Sequence, residues 1–242
     1  MSNNRHPKPG RTDASGAPHH ERTSQFVLAR FERWALPRIA RAMPDRVMPD
    51  HMTALGLLAS TLIAVAYLLS RRNEAWLWAA SALLVVQWFG DSLDGTLARV
   101  RRTERPRYGY YLDHITDAYS TSIIGLGLGM SDFMLTAVAL AVVVVYLMMS
   151  INVYLETYVF GEFSFSYGKL GPTEVRLILI LLNTVALLWR PVLFEIAGVP
   201  VTGFDIAGTA AAVAMLVLLL GRVVNNLRTL GQLEPPGRRR ED

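Results

Sequence analysis

The sequence predicts an all-α integral membrane protein in which six transmembrane helices follow an N-terminal amphipathic helix at the membrane interface. The chain has 242 residues, 52% of them apolar, and these fall in six runs of about 20 residues, the length that crosses a bilayer. Basic residues are concentrated on one side of the runs, and four aspartates lie close together among them. Because charged groups at membrane depth are normally functional, the aspartates also indicate a site.

The region before the first apolar run divides into two segments. Residues 1–24 are polar and contain Pro, Gly, Ser and His without periodicity, which predicts a disordered cytosolic tail. Residues 25–44 interleave apolar and aromatic residues with four arginines, a pattern that predicts a helix in the interface with its arginines toward anionic lipid headgroups. A nucleic-acid-binding arm is the alternative, and the aromatic face disfavours it because that face needs lipid or protein to cover it.

The six apolar runs define a transmembrane domain at residues 45–228 that would hold the site, and a charged tail follows at 229–242. We place the individual spans near residues 50–70, 75–98, 110–130, 132–160, 171–190 and 204–228. The chain has no cysteine, which excludes a disulfide framework and thiolate chemistry.

The distribution of basic residues orients these spans. With both termini on one side, 21 of the 24 lysines and arginines fall on that side, and only Arg71, Arg72 and Arg190 fall on the other. The positive-inside rule then places both termini and the aspartates at the cytosolic face, which we expect to be that of a bacterial inner membrane. The net charge of +4 therefore reflects membrane topology, and no nucleic-acid partner is predicted.

The segment between the second and third spans carries the strongest chemical signal. Asp91 and Asp94 are three residues apart, and Asp113 and Asp117 are four apart, so each pair lies on one face of a helix. An ionised carboxylate in hydrocarbon costs at least about 2.5 kcal/mol, and four neighbouring ones repel each other. Bound divalent cations offset both penalties, and an oxygen-only set of ligands favours Mg²⁺ or Mn²⁺ over zinc.

Small residues accompany the aspartates on the same helix faces. Gly95 and Ala98 follow Asp94, and Gly109 begins the stripe that continues with the second aspartate pair. Because these residues carry almost no side chain, a bulky group can approach the backbone there. The predicted ligand is a metal-bridged diphosphate whose flat or bulky moiety rests on these three residues.

The pattern D-x2-D-G-x2-A-R-x9-G-x3-D-x3-D resembles the signature of the CDP-alcohol phosphotransferase family, which comprises six-span membrane enzymes of phospholipid synthesis. That family has about eight residues between Arg and Gly, whereas this chain has nine. The segment from Pro49 to Gly56 is similar to the family's P-N-x2-T-x2-G, with Asp50 in place of Asn. Residues 156–161 and 171–176 resemble the segment that joins spans four and five in choline and ethanolamine phosphotransferases.

The resemblance implies a two-metal mechanism. Two Mg²⁺ or Mn²⁺ ions would be held mainly by Asp91, Asp94 and Asp113. Asp117 would be a further metal ligand or the general base that deprotonates the acceptor alcohol. The acceptor oxygen would then attack the β-phosphorus of a CDP-alcohol, and CMP would leave. His114 is an alternative base, because imidazole exchanges protons near neutral pH; otherwise it is a histidine hydrogen-bonded between helices.

The resemblance also assigns a CDP-binding surface and partners. Gly95, Ala98, Arg99 and Gly109 would contact the CDP-alcohol, and Arg99 either pairs with a phosphate or holds Asp94 in place. The acceptor is an alcohol or a lipid: CDP-diacylglycerol with a small polyol, and CDP-choline or CDP-ethanolamine with diacylglycerol, both stay open. The family further implies a homodimer.

Four further charged residues have two possible roles, and two other functions would also use acidic residues in a membrane. Glu156, Lys169, Glu174 and Arg176 either tie spans four and five together or, with Arg105 or Arg107, form an anion pocket. A membrane prenyltransferase would also hold diphosphate with aspartates, but on clustered D-x3-D motifs over more spans. A divalent-cation transporter would distribute its acidic residues over several spans near the midplane, whereas here they occupy two helices at one edge.

Overall fold

The computed structural model describes residues 28–160, 171–189, 192–196 and 198–234. Its helices are, in chain order, α1 (Ala29–Ala42), α2 (Pro49–Ser70), α3 (Trp76–Arg101), α4 (Pro106–Gly129), α5 (Thr136–Phe160), α6 (Pro172–Trp189) and α7 (Gly203–Leu233). The predicted tail at 1–24, Lys169, and the last eight residues of the predicted tail at 229–242 lie outside the described residues.

The long helices begin where the sequence provides a starting signal. A proline stands at the first residue of α2, α4 and α6, namely Pro49, Pro106 and Pro172. Proline is favourable there because a backbone N–H in the first turn has no acceptor within the helix, so its absence from proline costs no hydrogen bond. At α7 the hydroxyl of Thr202 accepts a hydrogen bond from the Asp205 backbone N–H, and the Asp205 carboxylate accepts one from the Thr202 backbone N–H, which completes a capping box.

The all-helical class is confirmed, with one small addition described below. Among the described residues, α2, α5, α6 and α7 are long and apolar enough to cross a membrane. Helices α3 and α4 have 26 and 24 residues, which at about 1.5 Å per residue also exceeds the hydrocarbon thickness. Their aspartates and arginines lower their hydropathy, so the six-span arrangement stays a prediction.

A two-stranded antiparallel hairpin stands between α6 and α7, where the sequence analysis predicted no strand. Its strands are β1 (Val192–Ile196) and β2 (Val199–Thr202). The turn contains Gly198 at φ +80°, a conformation that glycine adopts without strain, and the flanking residues are mostly β-branched or aromatic, as strands prefer. The described part of the connection between α6 and α7 therefore contains regular structure.

The core is built around α2, which packs against both α3 and α4. Tyr67 of α2 is completely buried, and its hydroxyl donates a hydrogen bond to Asn183 Oδ1 (3.2 Å), while Asn183 Nδ2 donates to Ser81 Oγ (3.0 Å). These bonds join α2, α6 and α3. They also satisfy polar groups that would be costly if left unpaired in a low-dielectric interior.

Glycines allow α2 to approach its two neighbours at backbone distance. A Cβ added at Gly90 of α3 would lie 2.7 Å from both the Gly56 nitrogen and the Met52 oxygen of α2. A Cβ added at Gly127 of α4 would lie 2.5 Å from the Ala64 Cα. Small residues at such crossings are typical of membrane helices, which gain van der Waals contact from close approach.

Helix α1 occupies most of the segment in which the sequence predicted an amphipathic helix. It buries Leu36 and Ala40 against a cluster on α2 and α3. On its outer side Phe31 and Trp34 are exposed, and the Arg38 guanidinium stacks 4.4 Å above the Trp34 ring. The location of this outer side in the membrane interface stays a prediction.

We expect Gly90→Ala to lower the free energy of unfolding by about 1–3 kcal/mol, because the added methyl group must push two backbones apart. Gly221→Ala in α7 is the matched control, since a Cβ there meets nothing within 4 Å and alanine favours a helix. The measurement is the thermal unfolding midpoint of each variant in detergent. Equal midpoints for the two variants would contradict the close contact between α2 and α3.

Candidate functional site

The predicted site residues lie on the adjoining ends of α3 and α4. The second half of α3 contains Asp91, Asp94, Gly95, Ala98 and Arg99, and the first half of α4 contains Gly109, Asp113, His114 and Asp117. Only residues 102–105 separate the two helices, so both sets lie at the same end of the bundle. Each helix makes its main packing contact with α2, which therefore contributes to the site.

Asp94 is the aspartate held most closely by its surroundings. The buried Thr53 hydroxyl of α2 donates a hydrogen bond to Asp94 Oδ2 (2.7 Å), and the Gly95 backbone N–H donates to Asp94 Oδ1 (2.5 Å). Asp94 also lies close enough to Asp91 and to Asp113 for its charge to interact with each of them. The carboxylates of Asp91 on α3 and Asp113 on α4 therefore lie near that of Asp94, which Thr53 of α2 orients.

Asp91 forms an ion pair with an arginine from a third helix. Arg176 of α6 donates from Nη2 to Asp91 Oδ2 (2.5 Å) and from Nε to Gln87 Oε1 (2.5 Å). The Arg176 side chain is 11% exposed and that of Asp91 is 23% exposed, so the pair is shielded from bulk water and its attraction is only weakly screened. The link joins α6 to α3.

The sequence predicted, as one alternative, a salt-bridge network between spans four and five for Glu156, Glu174 and Arg176. In the structure these residues have other partners. Glu156 of α5 accepts hydrogen bonds from Arg222 (2.7 and 2.9 Å) and from Asn226 (2.6 Å), both on α7. Glu174 accepts bonds from the backbone N–H groups of Gly171 and Leu28. The prediction that these charges tie spans four and five together is therefore wrong for Glu156, Glu174 and Arg176.

His114 lies between α4 and α5. Its Nδ1 is 2.8 Å from the Tyr110 backbone oxygen and 3.7 Å from Asp113 Oδ2. The ring centroid is 4.1 Å from that of Tyr110 and 5.0 Å from that of Tyr154 on α5. The hydrogen bond to Tyr110 lies within α4 and the contact with Tyr154 is aromatic, so both alternatives for His114 stay predictions.

Asp117 lies one turn further along α4, on the side of the tyrosines of α5. Its charge acts on the phenol groups of Tyr146 and Tyr154, whereas the charge of Asp113 acts on both Tyr154 and Asp94. Asp113 therefore stands between the carboxylates of α3 and the aromatic residues of α5. An acceptor alcohol placed near Asp117 would have these tyrosines as its neighbours.

The predicted CDP-binding surface is open at one glycine and covered at the other. A Cβ added at Gly109 would meet nothing within 4 Å. A Cβ added at Gly95 would lie 3.4 Å from Arg99 Nη1, because the Arg99 side chain folds back and donates from Nη2 to Thr96 Oγ1 (3.0 Å). A bulky group could reach the backbone at Gly95 only if the Arg99 side chain moved or formed one wall of its binding site.

The loop between α3 and α4 is fixed by two further arginines. Arg101 donates to the backbone oxygens of Met43 (3.2 Å) and Pro44 (2.8 Å) at the end of α1. Arg105 forms an ion pair with Asp50 at the start of α2, and this partner raises the pKa of the Arg105 guanidinium. Asp50 is the residue that replaces the asparagine of the resemblance, and the structure gives it a charged partner.

The donor atoms fit a hard divalent cation that shares its coordination with a substrate. Among the described residues, no three acidic, histidine or cysteine side chains come close enough to form a metal cage by themselves. Mg²⁺ rarely uses such a cage; it is usually held by one or two carboxylates and by phosphate oxygens of the substrate. Asp91, Asp94 and Asp113 supply oxygen donors of this kind.

Sequence reasoning identified the aspartates but missed the side chains that orient them. Thr53 and Gln87 were not singled out, and Arg176 was assigned to other partners. Thr53 corresponds to the threonine of the P-N-x2-T-x2-G pattern, so the resemblance could have marked it as a candidate site residue. Gln87 lies one turn before Asp91 on α3, and its partner is 89 residues away in sequence, which no local pattern reveals.

Two comparisons with known proteins bear on the identity of this site. A family model described as CDP-alcohol phosphatidyltransferase matches residues 46–227. The phosphatidylinositol phosphate synthase of Cutibacterium acnes (strain DSM 16379 / KPA171202) is 30% identical over 84 residues. This second match covers 35% of the chain and 38% of the relative, so the chain matches little more than a third of that protein's length.

The family match covers most of the chain and includes the whole aspartate pattern. Together with the apolar helices, it indicates an integral membrane protein. It also confirms the resemblance that the aspartate pattern predicted: the chain belongs to the CDP-alcohol phosphatidyltransferase family.

Proposed function

We propose that this protein transfers a substituted phosphoryl group from a CDP-alcohol to an acceptor alcohol and releases CMP, as a step of phospholipid synthesis. The observation that carries the proposal is the position of Asp94. Thr53 orients its carboxylate, and its charge interacts with that of Asp91 on α3 and that of Asp113 on α4. The proposed setting is a six-span homodimer in a bacterial inner membrane, with both termini and the site cytosolic. The separation of basic residues between the two sides supports this orientation.

In the proposed mechanism, Asp91, Asp94 and Asp113 would hold two divalent ions, and the donor diphosphate would supply further oxygen ligands. Bound Mg²⁺ or Mn²⁺ would neutralise charge on the diphosphate and on the departing CMP. Asp117 accepts the proton of the acceptor hydroxyl, and His114 is the alternative base. The acceptor oxygen then bonds to the β-phosphorus, while the bond from that phosphorus to the bridging oxygen breaks and its electron pair leaves with CMP.

The remaining residues bind and orient. Thr53 keeps one carboxylate oxygen of Asp94 directed by a hydrogen bond, and Arg176 holds Asp91 on α3. Gly109 leaves its backbone open to the nucleotide, and Arg99 would form one wall of the binding site over Gly95, with Ala98 as a further proposed contact. Positioning of this kind reduces the entropic part of the barrier, because the reacting groups are already aligned when the substrate binds.

The proposed donor class is CDP-diacylglycerol. The matched family is described as a phosphatidyltransferase, and the relative is named for a phosphatidyl lipid. Small polyols and their phosphates, including inositol phosphate, are then the acceptors to test first. CDP-choline and CDP-ethanolamine with diacylglycerol form the second half of the panel, since residues 156–161 and 171–176 resemble enzymes of that branch.

The decisive experiment measures CMP release from the protein in lipid nanodiscs with Mg²⁺ or Mn²⁺ and this panel. We expect release with at least one donor and acceptor pair, and a loss of at least about 100-fold in Asp113→Asn and in Asp117→Asn, because each substitution removes a negative charge from the site. Asp132→Asn is the matched control, since Asp132 is exposed and pairs with Arg71 at the other end of the bundle. Metal flux without CMP release would instead indicate a transporter.

Removal of divalent cations should abolish turnover. The carboxylates of α3 and α4 repel each other and the donor diphosphate unless cations lie between them. We expect CMP release to stop after treatment with a chelator and to return when Mg²⁺ or Mn²⁺ is added in excess. Full turnover in the chelated protein would contradict the assignment of the aspartates as metal ligands.

Thr53→Val tests the orientation of Asp94, because valine keeps the shape of threonine and removes the hydroxyl donor. We expect the Mg²⁺ concentration for half-maximal CMP release to rise about 10-fold, as is usual when a group that orients a metal ligand is lost, whereas Thr53→Ser should stay close to wild type. Thr61→Val is the control on the same helix, where the hydroxyl contacts Leu57 and Tyr119. An unchanged Mg²⁺ dependence in Thr53→Val would contradict this role.

A further inference from the structure

A single carboxylate oxygen of α1 connects two other helices. Trp88 Nε1 of α3 donates a hydrogen bond to Glu32 Oε1 (3.0 Å), and Thr173 Oγ1 of α6 donates to the same oxygen (2.5 Å). The three residues are far apart in sequence, and Glu32 and Thr173 are separated by 141 positions. Because both hydrogen bonds end on the same oxygen, Glu32 links α3 to α6.

The contact at Glu32 lies one helical turn from the ion pair of the site. Trp88 precedes Asp91 by three residues on α3, and Thr173 precedes Arg176 by three residues on α6. Residues three apart are neighbours on a helix face, so α3 and α6 each contribute adjacent side chains to the Glu32 contact and to the ion pair. Together with the Asn183–Ser81 hydrogen bond further along both helices, the Glu32 contact and the ion pair restrict the rotation and the translation of α6 relative to α3.

Helix α1 is itself held firmly enough to present this oxygen. Leu36 and Ala40 are buried against α2 and α3, and Arg101 binds backbone oxygens at the end of α1. At the start of the helix, the Leu28 backbone N–H donates to Glu174 Oε1 of α6 (2.9 Å). Glu32 therefore cannot follow a displacement of α3 or α6 without breaking contacts along the whole of α1.

We propose that Glu32 is a positioning residue for the transfer reaction: through Trp88 and Thr173 it sets the alignment of α3 and α6 that places Arg176 on Asp91. The inference rests on the proposed function for its kinetic consequence, while its structural part stands by itself. It assigns α1 a role in the site in addition to any contact with lipid.

The structural part is tested by a distance measurement. The chain has no cysteine, so spin labels can be attached at two introduced cysteines, Val85→Cys on α3 and Val175→Cys on α6, both at exposed positions. We expect Glu32→Ala to shift or broaden the distance distribution between the labels in nanodiscs. Glu32→Gln should leave it unchanged, because the glutamine oxygen still accepts both hydrogen bonds. An unchanged distribution in Glu32→Ala overturns the proposal.

The kinetic part is tested on the same variants. We expect Glu32→Ala to lower kcat for CMP release on the order of tenfold, with KM for the CDP-alcohol changed by less than about twofold, because binding is retained and alignment is lost. Thr173→Val should act in the same direction, and Thr173→Ser and Glu32→Gln should stay close to wild type. Glu74→Ala, which removes an exposed carboxylate at the other end of the bundle, is the matched control.

The outcomes separate this inference from the proposed function. A wild-type protein that releases no CMP refutes the proposed function, while the distance measurement still decides whether Glu32 aligns α3 and α6. A wild-type protein that turns over, with kcat unchanged in Glu32→Ala, overturns the positioning role. A loss in Glu32→Gln as large as that in Glu32→Ala also overturns it, because the effect would then follow charge and not the hydrogen bonds.

Discussion

The close contact between α2 and α3 is the constraint on which the rest of the site depends. At Gly56 and Gly90 the two backbones approach so closely that an added methyl group on Gly90 has no space. Gly90 directly precedes Asp91, and Thr53 lies one turn before Gly56. The contact therefore brings the Thr53 hydroxyl within reach of Asp94 and determines where Asp91 stands. A larger separation would leave Asp94 without the hydrogen bond from Thr53.

Electrostatic pairing then decides which helices surround this contact. Charges inside a helix bundle are retained when an opposite charge or several hydrogen bonds compensate for the lost hydration. Arg176 compensates Asp91 and thereby brings α6 to α3, and Arg222 compensates Glu156 and joins α7 to α5. Apolar surfaces can pack against many partners, whereas an ion pair forms only with one. These two pairs therefore determine that α6 packs on α3 and that α7 packs on α5.

The long helices and the placement of the aspartates could be predicted from the sequence, because both depend on local patterns. Apolar runs and the spacing of the aspartates are properties of short segments; the runs predicted the helices, and the aspartates lie on two consecutive helices as expected, while their role as the site stays a prediction. The partners of those residues depend on contacts between distant segments. Arg176 is 85 residues from Asp91, and its two plausible roles could be separated only when the packing of α6 on α3 was known. The hairpin before α7 was missed because its apolar residues continue the hydropathy of the neighbouring spans.

The polar character of α3 and α4 explains both the weakness of their hydropathy signal and the place of the site. The first half of α3, from Trp76 to Gly90, is almost entirely apolar, and the polar residues begin at Asp91 and continue to the helix end. A charge costs less near the membrane edge than at the centre, and under the proposed function an edge position would let a water-soluble nucleotide meet a lipid-soluble partner. A helix beside the bundle, like α1, can contact α3 and α6 at the end of the bundle that carries the aspartates, and the hydrogen bonds of Glu32 with Trp88 and Thr173 are such a contact.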